Sequence, residues 1–485
     1  MAEIEIKLQV PDTGRAAVSR ALHRGQVSRA RLRARYYDTP DHRLAAAGLA
    51  LRLRREGRRW VQALKGTGDG LLERLEHEVP VTSSREAPAL DIARHDGTPE
   101  GHRLRKALGD QADALALRFE TDVRRTWREV RLGGTRIELA FDEGELRARD
   151  EALPVCEIEF ELLQGSLEVM TAVAGRWAAR HGLWLDTRSK AERGHWLADG
   201  RGAAPVAKAP VPSLHPAASL ELALRACVLS AVSQIAPNAS WLAAGHTQPE
   251  HVHQTRVGLR RLASVLREFG DWSGELDARW IETAREILGR LSGARDRDAL
   301  SAWLWPALRE AGAPPLALAQ AGPADDPGAI FRAAPTTQWL LELLSFAHST
   351  PPAAQARNLR TLSGPHLAQL HRQLHRAGRT FEALEDEARH RARKRLKRLR
   401  YAAEALSSLW PAKAWAAYAG RLRDAQDALG RLQDITVAEG LLRDAAARDP
   451  GAAFGLGWIA AQRGQIVTEA GTALAAIGKT PKFLR

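Results

Sequence analysis

The sequence predicts an α+β protein in which an antiparallel β barrel with a charged interior precedes an all-helical region. Residues 1–200 contain short segments that alternate charged and apolar residues, as strands with one polar and one apolar face do. Residues 201–218 are rich in Gly, Ala and Pro, which is typical of an extended linker. Residues 219–485 have long stretches of helical period and few strand signals. We therefore expect two domains, 1–200 and 219–485, joined by that linker.

The charge balance indicates a polyanionic partner. The 485 residues carry a formal net charge of +13. After Leu214 there are 35 Lys and Arg residues against 26 Asp and Glu residues, so most of the basic excess lies in the helical part. A phosphate polymer, a nucleic acid or an anionic lipid surface would each suit this charge.

Cysteine usage and hydropathy favour a cytoplasmic protein. Cys156 and Cys227 lie in different halves and form no metal-ligand spacing, so we expect no disulfide framework. The N-terminus enters a charged strand directly, and this predicts no signal peptide. No run of about 18 apolar residues occurs, so we expect no membrane span.

The first strand, residues 3–8, sets the pattern for the barrel. Side chains alternate across a strand, so Glu3, Glu5 and Lys7 share one face, with Ile4, Ile6 and Leu8 on the other. Two carboxylates beside an ammonium would form a hard-oxygen metal site next to an anion site.

The remaining elements of this part follow in order. A helix is predicted over residues 11–24 and a strand over 28–37, which ends at the turn of Asp38-Thr39-Pro40-Asp41. Further strands are predicted over 50–54, 60–65 and 74–78, then a hairpin of 119–130 and 135–141 around Gly133-Gly134. A strand over 156–162 and an amphipathic helix over 168–181 complete the pattern.

At least five of these strands gather charge on a single face. A solvated sheet face usually explains one such strand, but not five with both acids and bases on their polar faces. A barrel with a charged interior and a helix-covered exterior explains the pattern better. The inward charges would include Arg52, Arg54 and Lys65, Glu76 and Glu78, Arg125, Glu138, and the three carboxylates Glu157, Glu159 and Glu161.

Five ordered motifs resemble the CYTH family, the triphosphate tunnel metalloenzymes. They are Glu3-Ile-Glu5-Ile-Lys7, Tyr37-Asp38-Thr39-Pro40, Leu51-Arg52-Leu53-Arg54, Glu157-Ile-Glu159-Phe-Glu161 and Ser189-Lys190-Ala191-Glu192. The resemblance covers the first 200 residues. It implies an eight-stranded antiparallel tunnel that hydrolyses a triphosphate with Mg²⁺ or Mn²⁺.

The resemblance also implies roles for individual residues. Phosphate would be bound by Lys7, Arg52, Arg54, Lys65, Arg125, Arg188 and Lys190. The metal would be held among Glu3, Glu5, Glu157, Glu159 and Glu161, with the choice among the last three left open. Catalytic roles, including orientation of the attacking water, would fall to Glu5, Lys7, Glu76, Glu78, Glu138 and Glu159.

The helical part contains an internal repeat of basic stripes. The first copy runs from His253 to Arg261 and the second from His390 to Arg398, with matching positions at offsets of 0, 3, 4, 7 and 8 from the histidine. Acidic positions follow at similar distances, at Asp296 and Asp434. This duplication predicts two pseudo-symmetric helical bundles. Residues 311–338, with five prolines, read as a long loop between elements.

The paired stripes resemble the CHAD domain, which often follows a CYTH domain. The resemblance spans residues 219–485 and implies binding of inorganic polyphosphate. The residues implied are His253, Arg256, Arg260, Arg261, His390, Arg393, Lys394, Lys397 and Arg398. Val257 interrupts the first stripe, so its share of binding would be smaller. Nucleic acid is the less favoured partner, because the stripe lacks interleaved aromatic residues.

Together these patterns predict a phosphohydrolase that cleaves inorganic triphosphate to pyrophosphate and phosphate, tethered to a polyphosphate-binding domain. Two alternatives remain open at this stage. One is a nucleotide (adenylate) cyclase, or another nucleoside or organic triphosphatase, on the same tunnel. The other is a non-catalytic polyphosphate-binding scaffold.

Overall fold

The chain divides into two compact units in this computed structural model. The structure describes residues 2–68, 70–82, 87–291, 303–314, 326–350, 358–446, 449 and 451–484. The barrel unit comprises residues 1–208, 232–255 and 327–349, and the helical unit comprises 209–231, 256–326 and 350–485. The barrel unit thus takes two segments from beyond the predicted linker.

The barrel is built from eight antiparallel strands that close on themselves. Around the ring the strands follow the order β5-β4-β3-β2-β6-β7-β8-β1, and β1 pairs with β5 to close it. Their bounds are β1 (Ala2–Gln9), β2 (Ser28–Asp38), β3 (Leu49–Glu56), β4 (Arg59–Thr67), β5 (Glu73–Val81), β6 (Ala116–Leu132), β7 (Thr135–Ala148) and β8 (Glu151–Gln164). A short β9 (Trp184–Leu185) pairs with the outer edge of β1. The closed barrel and the predicted strand pattern are confirmed.

The β6–β7 hairpin shows how local sequence sets the register. Gly133 and Gly134 both have positive φ, at 55° and 80°, which a two-residue hairpin turn requires at its two central positions. Leu132 therefore pairs with Thr135, and the register continues regularly to Glu120 opposite Arg147.

Helices cover the apolar exterior and one end of the interior. They are α1 (Asp12–Leu22), α2 (Arg43–Ala46), α3 (Pro99–Leu108), α4 (Leu167–His181) and α5 (Lys190–Ala198). Leu104 of α3 packs with Leu51 and Leu64 of the barrel's outer face. Leu197 of α5 instead packs with the inward-facing Phe119, so α5 lies over one end of the barrel interior.

Two helical segments from the C-terminal half complete the barrel unit. The first contains the end of α6 (Leu220–Ala243) and the start of α7 (Pro249–Phe269). The second contains α10 (Pro327–Arg332) and α11 (Ala334–His348), which packs on α4. The loop predicted over residues 311–338 is therefore wrong from residue 327 onward. Pro327 and Pro335 occupy first turns of helices, where proline costs no hydrogen bond.

The described part of the helical unit is formed by the rest of α6 and α7 and by further helical elements. These are α8 (Arg279–Arg290), the helical residues 303–310 (α9), α12 (Leu359–Arg379), α13 (Asp386–Ala405), α14 (Ala412–Ala446) and α15 (Ala452–Ala476), with a short 3₁₀ turn at Lys482–Leu484. The first basic stripe lies on α7 and the second on α13. Asp296 of the predicted acidic motif lies outside the described residues, and the pseudo-symmetric arrangement stays a prediction.

Within the described ranges, one helix is long and apolar enough, by composition, to cross a membrane. It is α6, and 61% of its most apolar stretch is buried within the protein, as in the core helix of a globular fold.

Candidate active site and cationic cluster

The strand register places the acidic side chains of the barrel interior in rows. Glu5 of β1 lies opposite Glu161 of β8, which lies opposite Glu138 of β7. One step along the strands, Lys7 lies opposite Glu159. Because alternate residues of each strand point inward, these side chains converge on one space.

That space is a cavity of about 970 Å³. Most of the barrel residues predicted as functional line it, namely Glu3, Glu5, Lys7, Arg52, Arg54, Lys65, Glu76, Glu78, Arg125, Glu138, Glu159, Glu161 and Lys190. The convergence of acids and bases from distant parts of the chain is therefore real. Two predicted residues, Glu157 and Arg188, do not line it.

Glu157 and Arg188 are buried beside the cavity in ion pairs. The Glu157 side chain is fully buried and pairs with Arg193 and Lys190. Arg188 donates to Asp186 at 2.9 Å, and its guanidinium lies 4.8 Å from the ring of Trp241. In this structure both residues support the cavity wall from behind.

Lys190 neutralises three carboxylates at once. Its Nζ lies 2.8 Å from a carboxylate oxygen of Asp142, 2.8 Å from one of Glu159, and pairs with Glu157. Burial would lower the pKa of Lys190, but these three carboxylates outweigh it and hold the pKa well above its usual range. Asp142, Glu157 and Glu159 are close enough together to hold a metal ion, but a fixed ammonium already compensates their charge.

Arg125 completes this neutralised group. Its guanidinium forms a two-pronged contact with Asp142, at 2.7 and 2.6 Å, and a further bond to Glu159. Burial would raise the pKa of Glu159, but Lys190 and Arg125 lower it well below its usual range. Glu159 is thus a stable anion that orients two cations.

A second group of carboxylates is compensated less fully. Lys65 Nζ lies 3.9 Å from a carboxylate oxygen of Glu3. Burial raises the pKa of Glu3 to about 7, with Lys65 opposing the rise and Glu76 and Glu161 adding to it. Burial also raises the pKa of Glu161, reinforced by Glu138 and Glu5. Burial is the main cause of both shifts and neighbouring carboxylates add to them, and a divalent cation would oppose both effects.

The opposite wall carries cations in ion pairs with acids of β5. Arg52 donates to the Tyr36 hydroxyl and to Glu76, both at 3.2 Å, and Lys65 lies 2.7 Å from Glu76. Arg54 donates to Glu78 at 2.9 Å. Burial would raise the pKa of Glu76, but Lys65 and Arg52 lower it to about 2. These pairs can open to a phosphate oxygen, because the cations are on the cavity wall.

Lys7 is held by the segment that precedes α5. Its Nζ donates to the main-chain carbonyl of Arg188, and burial lowers its pKa against the opposing effect of Glu157 and Asp186. A helical segment beyond the linker fixes this loop. Ser240 accepts from the Thr187 amide at 3.0 Å, and Ser240 itself lies in α6 of the barrel unit.

Three contributors were not predicted from the sequence. Asp142 follows Glu138 and Ala140 at a spacing of two, so strand alternation could have identified it. Tyr36 lies within the predicted strand 28–37, and no role was predicted for it. The contact of Trp241 with Arg188 joins residues 53 positions apart and leaves no local signal.

In the helical unit, four cations of the two predicted stripes lie close together. Burial lowers the pKa of Lys397 to about 7, and the neighbouring charges of Arg393, Arg260 and Arg256 lower it further, with Asp434 opposing them. Arg256 and Arg260 of α7 are therefore close enough to Lys397 of α13 to act on its charge. We call Arg256, Arg260, Arg393 and Lys397 the cationic cluster.

The other predicted polyphosphate residues have separate placements. Arg261 pairs with Glu404 at 3.1 Å, and Arg398 pairs with the buried Glu268. His390 contacts Gln433 at 3.0 Å. Lys394 is exposed on α13, and His253 lies on the part of α7 that belongs to the barrel unit.

Comparison with known proteins identifies both regions. Residues 1–195 match the family model of the CYTH domain, and residues 226–443 match that of the CHAD domain. An inorganic triphosphatase of Haemophilus influenzae is 32% identical over 168 residues, which are 33% of this chain and 44% of that protein. The chain thus spans less than half the length of that curated relative.

Solved structures give similar matches. The CHAD domain of the plant Ricinus communis has 25% identity and a TM-score of 0.44, and the match covers 58% of this chain and 99% of that one. HpAC1 of Hippeastrum, whose structure is described as revealing a dominant triphosphatase activity, has 18% identity and a TM-score of 0.27, covering 38% of this chain and 89% of that one.

Proposed function

The chain carries a CYTH domain at residues 1–195 and a CHAD domain at residues 226–443, and from this premise we propose that it is a metal-dependent inorganic triphosphatase that also binds polyphosphate. The barrel would cleave triphosphate to pyrophosphate and phosphate. The observation that supports this most is the division of the cavity between carboxylates with raised pKa values and a wall of arginines and lysines.

The residues present fit a hard divalent ion such as Mg²⁺ or Mn²⁺. Glu3 and Glu5 of β1 and Glu161 of β8 supply carboxylate oxygens from adjacent strands, and burial together with neighbouring carboxylates raises the pKa values of Glu3 and Glu161. When bound, the metal would polarise a phosphoryl oxygen and lower the pKa of a bound water. Of the three late glutamates, this assigns Glu161 to the metal and leaves Glu159 and Glu157 to the cations.

Substrate binding would use the cationic wall. A triphosphate carries about four negative charges, and its burial requires matched cations. Arg52, Arg54, Lys65 and Arg125 line the cavity in existing pairs with carboxylates, and Lys7 lies beside them. Exchange of these carboxylate partners for phosphate oxygens would orient the chain of phosphates along the barrel.

Among the predicted catalytic acids, Glu138 is the best candidate to accept a proton from the attacking water. Burial raises its pKa, whereas Glu76 and Glu159 are held ionised at low pKa by cations and are weak bases. The latter two would instead hold Arg52, Lys65 and Arg125 in position.

The test is phosphate release from inorganic triphosphate with and without Mg²⁺. We expect metal-dependent release that falls at least a hundredfold, about 3 kcal/mol of transition-state stabilisation, in Glu5→Gln and Glu161→Gln. Glu151→Gln, an exposed glutamate of β8 paired with Arg201 outside the cavity, is the matched control and should retain activity. Equal rates in all variants, or release without metal, would reject the hydrolase.

Cavity size favours a second candidate, a nucleoside or other organic triphosphate as substrate. A volume of about 970 Å³ matches the upper range of sites for drug-sized ligands and exceeds what a bare triphosphate fills. Trp196 and His195 also line the cavity and offer apolar ring surface. Incubation with ATP and chromatography of the products separates hydrolysis from cyclisation, since only a cyclase yields cyclic AMP.

The cationic cluster supports polyphosphate binding by the helical unit. Arg256, Arg260 and Arg393 all act electrostatically on Lys397, and a polyanion would suit this concentration of positive charge. Binding of labelled polyphosphate to the full chain should weaken about tenfold or more in Arg393→Gln. Arg391→Gln, an exposed arginine of the same helix paired with Glu387, is the control. Competition by DNA at equal salt ranks the two polyanions.

A further inference from the structure

A histidine cluster lies on the cavity wall away from the glutamates. It consists of Asp38 at the end of β2, His42 in the turn before α2, and His195 in α5. One donor atom of each residue lies within 4.8 Å of those of the other two. His42 and His195 line the cavity, and Asp38 is fully buried behind them.

Asp38 is fixed by main-chain hydrogen bonds. Its Oδ1 accepts from the amides of Thr39 at 2.7 Å and Leu44 at 2.9 Å, and its Oδ2 accepts from Ala45 at 3.0 Å. Oδ2 therefore keeps a lone pair, and it lies 3.6 Å from Nε2 of His195. That distance is too long for a hydrogen bond but suits two ligands of one ion.

The ring of His195 is held in place and has one nitrogen without a hydrogen-bond partner among the described residues. Its ring packs edge-on against Phe119, with centroids 5.2 Å apart, so its position is set by the barrel core. Its Nδ1 is buried and has no hydrogen-bond partner among the described residues. A neutral imidazole offers a ring-nitrogen lone pair to a metal ion.

His42 is held in an uncommon conformation that points it toward this group. Its φ of 59° lies in the left-handed region, which is costly for a residue with a Cβ. Its Nε2 lies 3.4 Å from Oδ1 of Asp199, which also accepts from Arg118 at 3.2 Å. Asp199 therefore places a second carboxylate beside His42.

We propose that Asp38, His42 and His195 form a second cation site, separate from the glutamate cluster, for a borderline divalent ion such as Zn²⁺ or Co²⁺. Two imidazoles and one or two carboxylates form a ligand set that such ions prefer, whereas Mg²⁺ and Mn²⁺ prefer the all-oxygen set of the glutamates. An ion here would add positive charge to the wall of a cavity built for anions. It would also hold α5 to the β2–α2 turn.

Cobalt binding tests the site independently of catalysis. The full chain is titrated with Co²⁺ in excess Mg²⁺, which occupies oxygen sites, and the visible absorption of low-coordinate Co²⁺ is recorded. We expect one Co²⁺ per chain to bind with this absorption, and the affinity to fall about tenfold or more in His42→Asn and in His195→Gln. Asparagine is chosen at position 42 because it tolerates the left-handed conformation.

The matched control is His102→Gln, which removes an exposed histidine of α3 in the same unit and should bind Co²⁺ like the parent chain. Circular dichroism of the metal-free proteins reports whether each variant folds. If His195→Gln does not fold, the His42→Asn variant decides alone. Parent-like Co²⁺ binding in a folded His42→Asn variant, or displacement of the bound Co²⁺ by Mg²⁺, would overturn the proposal, whatever the outcome of the triphosphatase assay.

Discussion

Polyphosphate affinity of the helical unit should fall steeply as the pH rises above 7. Burial and three neighbouring arginines lower the pKa of Lys397 to about 7 from an ordinary value of 10.5, and Asp434 opposes them. A bound polyanion would stabilise the ammonium, so binding above pH 7 requires uptake of a proton. Affinity then decreases by up to about tenfold per pH unit, or about 50-fold between pH 7 and pH 9.

The assay is a titration of the full chain with labelled polyphosphate at constant ionic strength across this pH range. Lys397→Arg is the control, because a guanidinium stays charged throughout and should remove most of the pH dependence. Histidines titrate mainly below this range, so they contribute little to the change. A slope in Lys397→Arg equal to that of the parent chain would refute the assignment.

The same group makes an opposite prediction for stability without ligand. Between pH 7 and 10.5 the unfolded chain holds the Lys397 proton and the folded chain does not, so the free energy of unfolding rises with pH in this window. Below pH 7 both states are protonated and the penalty of burying the charge is complete. Urea unfolding of the parent chain and of Lys397→Met at pH 7 and 9 measures the difference, which the variant should lack.

Three further predictions concern the barrel unit. Lys190→Met should destabilise the protein by about 3–5 kcal/mol, because it leaves three buried carboxylates short of a cation, and urea unfolding measures this loss. Trp241→Ala should lower the free energy of unfolding by about 3–5 kcal/mol and lower the rate of triphosphate hydrolysis, whereas Trp241→Phe should retain most of the stability. Equal free energies of unfolding for the two variants would contradict a packing role. A chain that ends at residue 218 lacks segments 232–255 and 327–349 of the barrel unit, so it should melt well below the full chain, and an unchanged melting temperature would show that these segments are dispensable.

Strand alternation predicts most of the residues that face the barrel interior. Because the side-chain period of a strand is two, the inward positions of β1, β3, β5 and β8 follow from the sequence once the strands are recognised. The hairpin turn at Gly133-Gly134 likewise follows from local conformational preference. These are properties of neighbouring residues, so they need no knowledge of the distant chain.

What alternation cannot give is the partner of each inward charge. Glu157, Glu159 and Glu161 occupy equivalent positions in one strand, yet their partners differ. Glu157 pairs with Arg193 and Lys190, and Glu159 pairs with Lys190 and Arg125. Glu161 is close to other carboxylates. Those cations come from α5 and β6, whose approach is a tertiary property. The contribution of α6 to the barrel unit is also a tertiary property, so the local sequence does not predict it. Proline is common both in loops and in the first turn of a helix, so the prolines that open α10 and α11 do not by themselves distinguish the two.

This division of charge explains how one cavity could hold both a metal and a highly charged anion. If all the inward acids were free, their repulsion would oppose the binding of triphosphate; if all were paired with lysine or arginine, no charge would remain to bind a metal. Lys190 and Arg125 compensate the acids at one level of the barrel, and the row of Glu5, Glu161 and Glu138 lies two residues further along the strands. A metal at that row would face the cations across the lumen, and a chain of phosphates could bridge them. Loss of Lys190 should therefore disturb metal binding as well as folding, since it would create a competing acidic site beside the first.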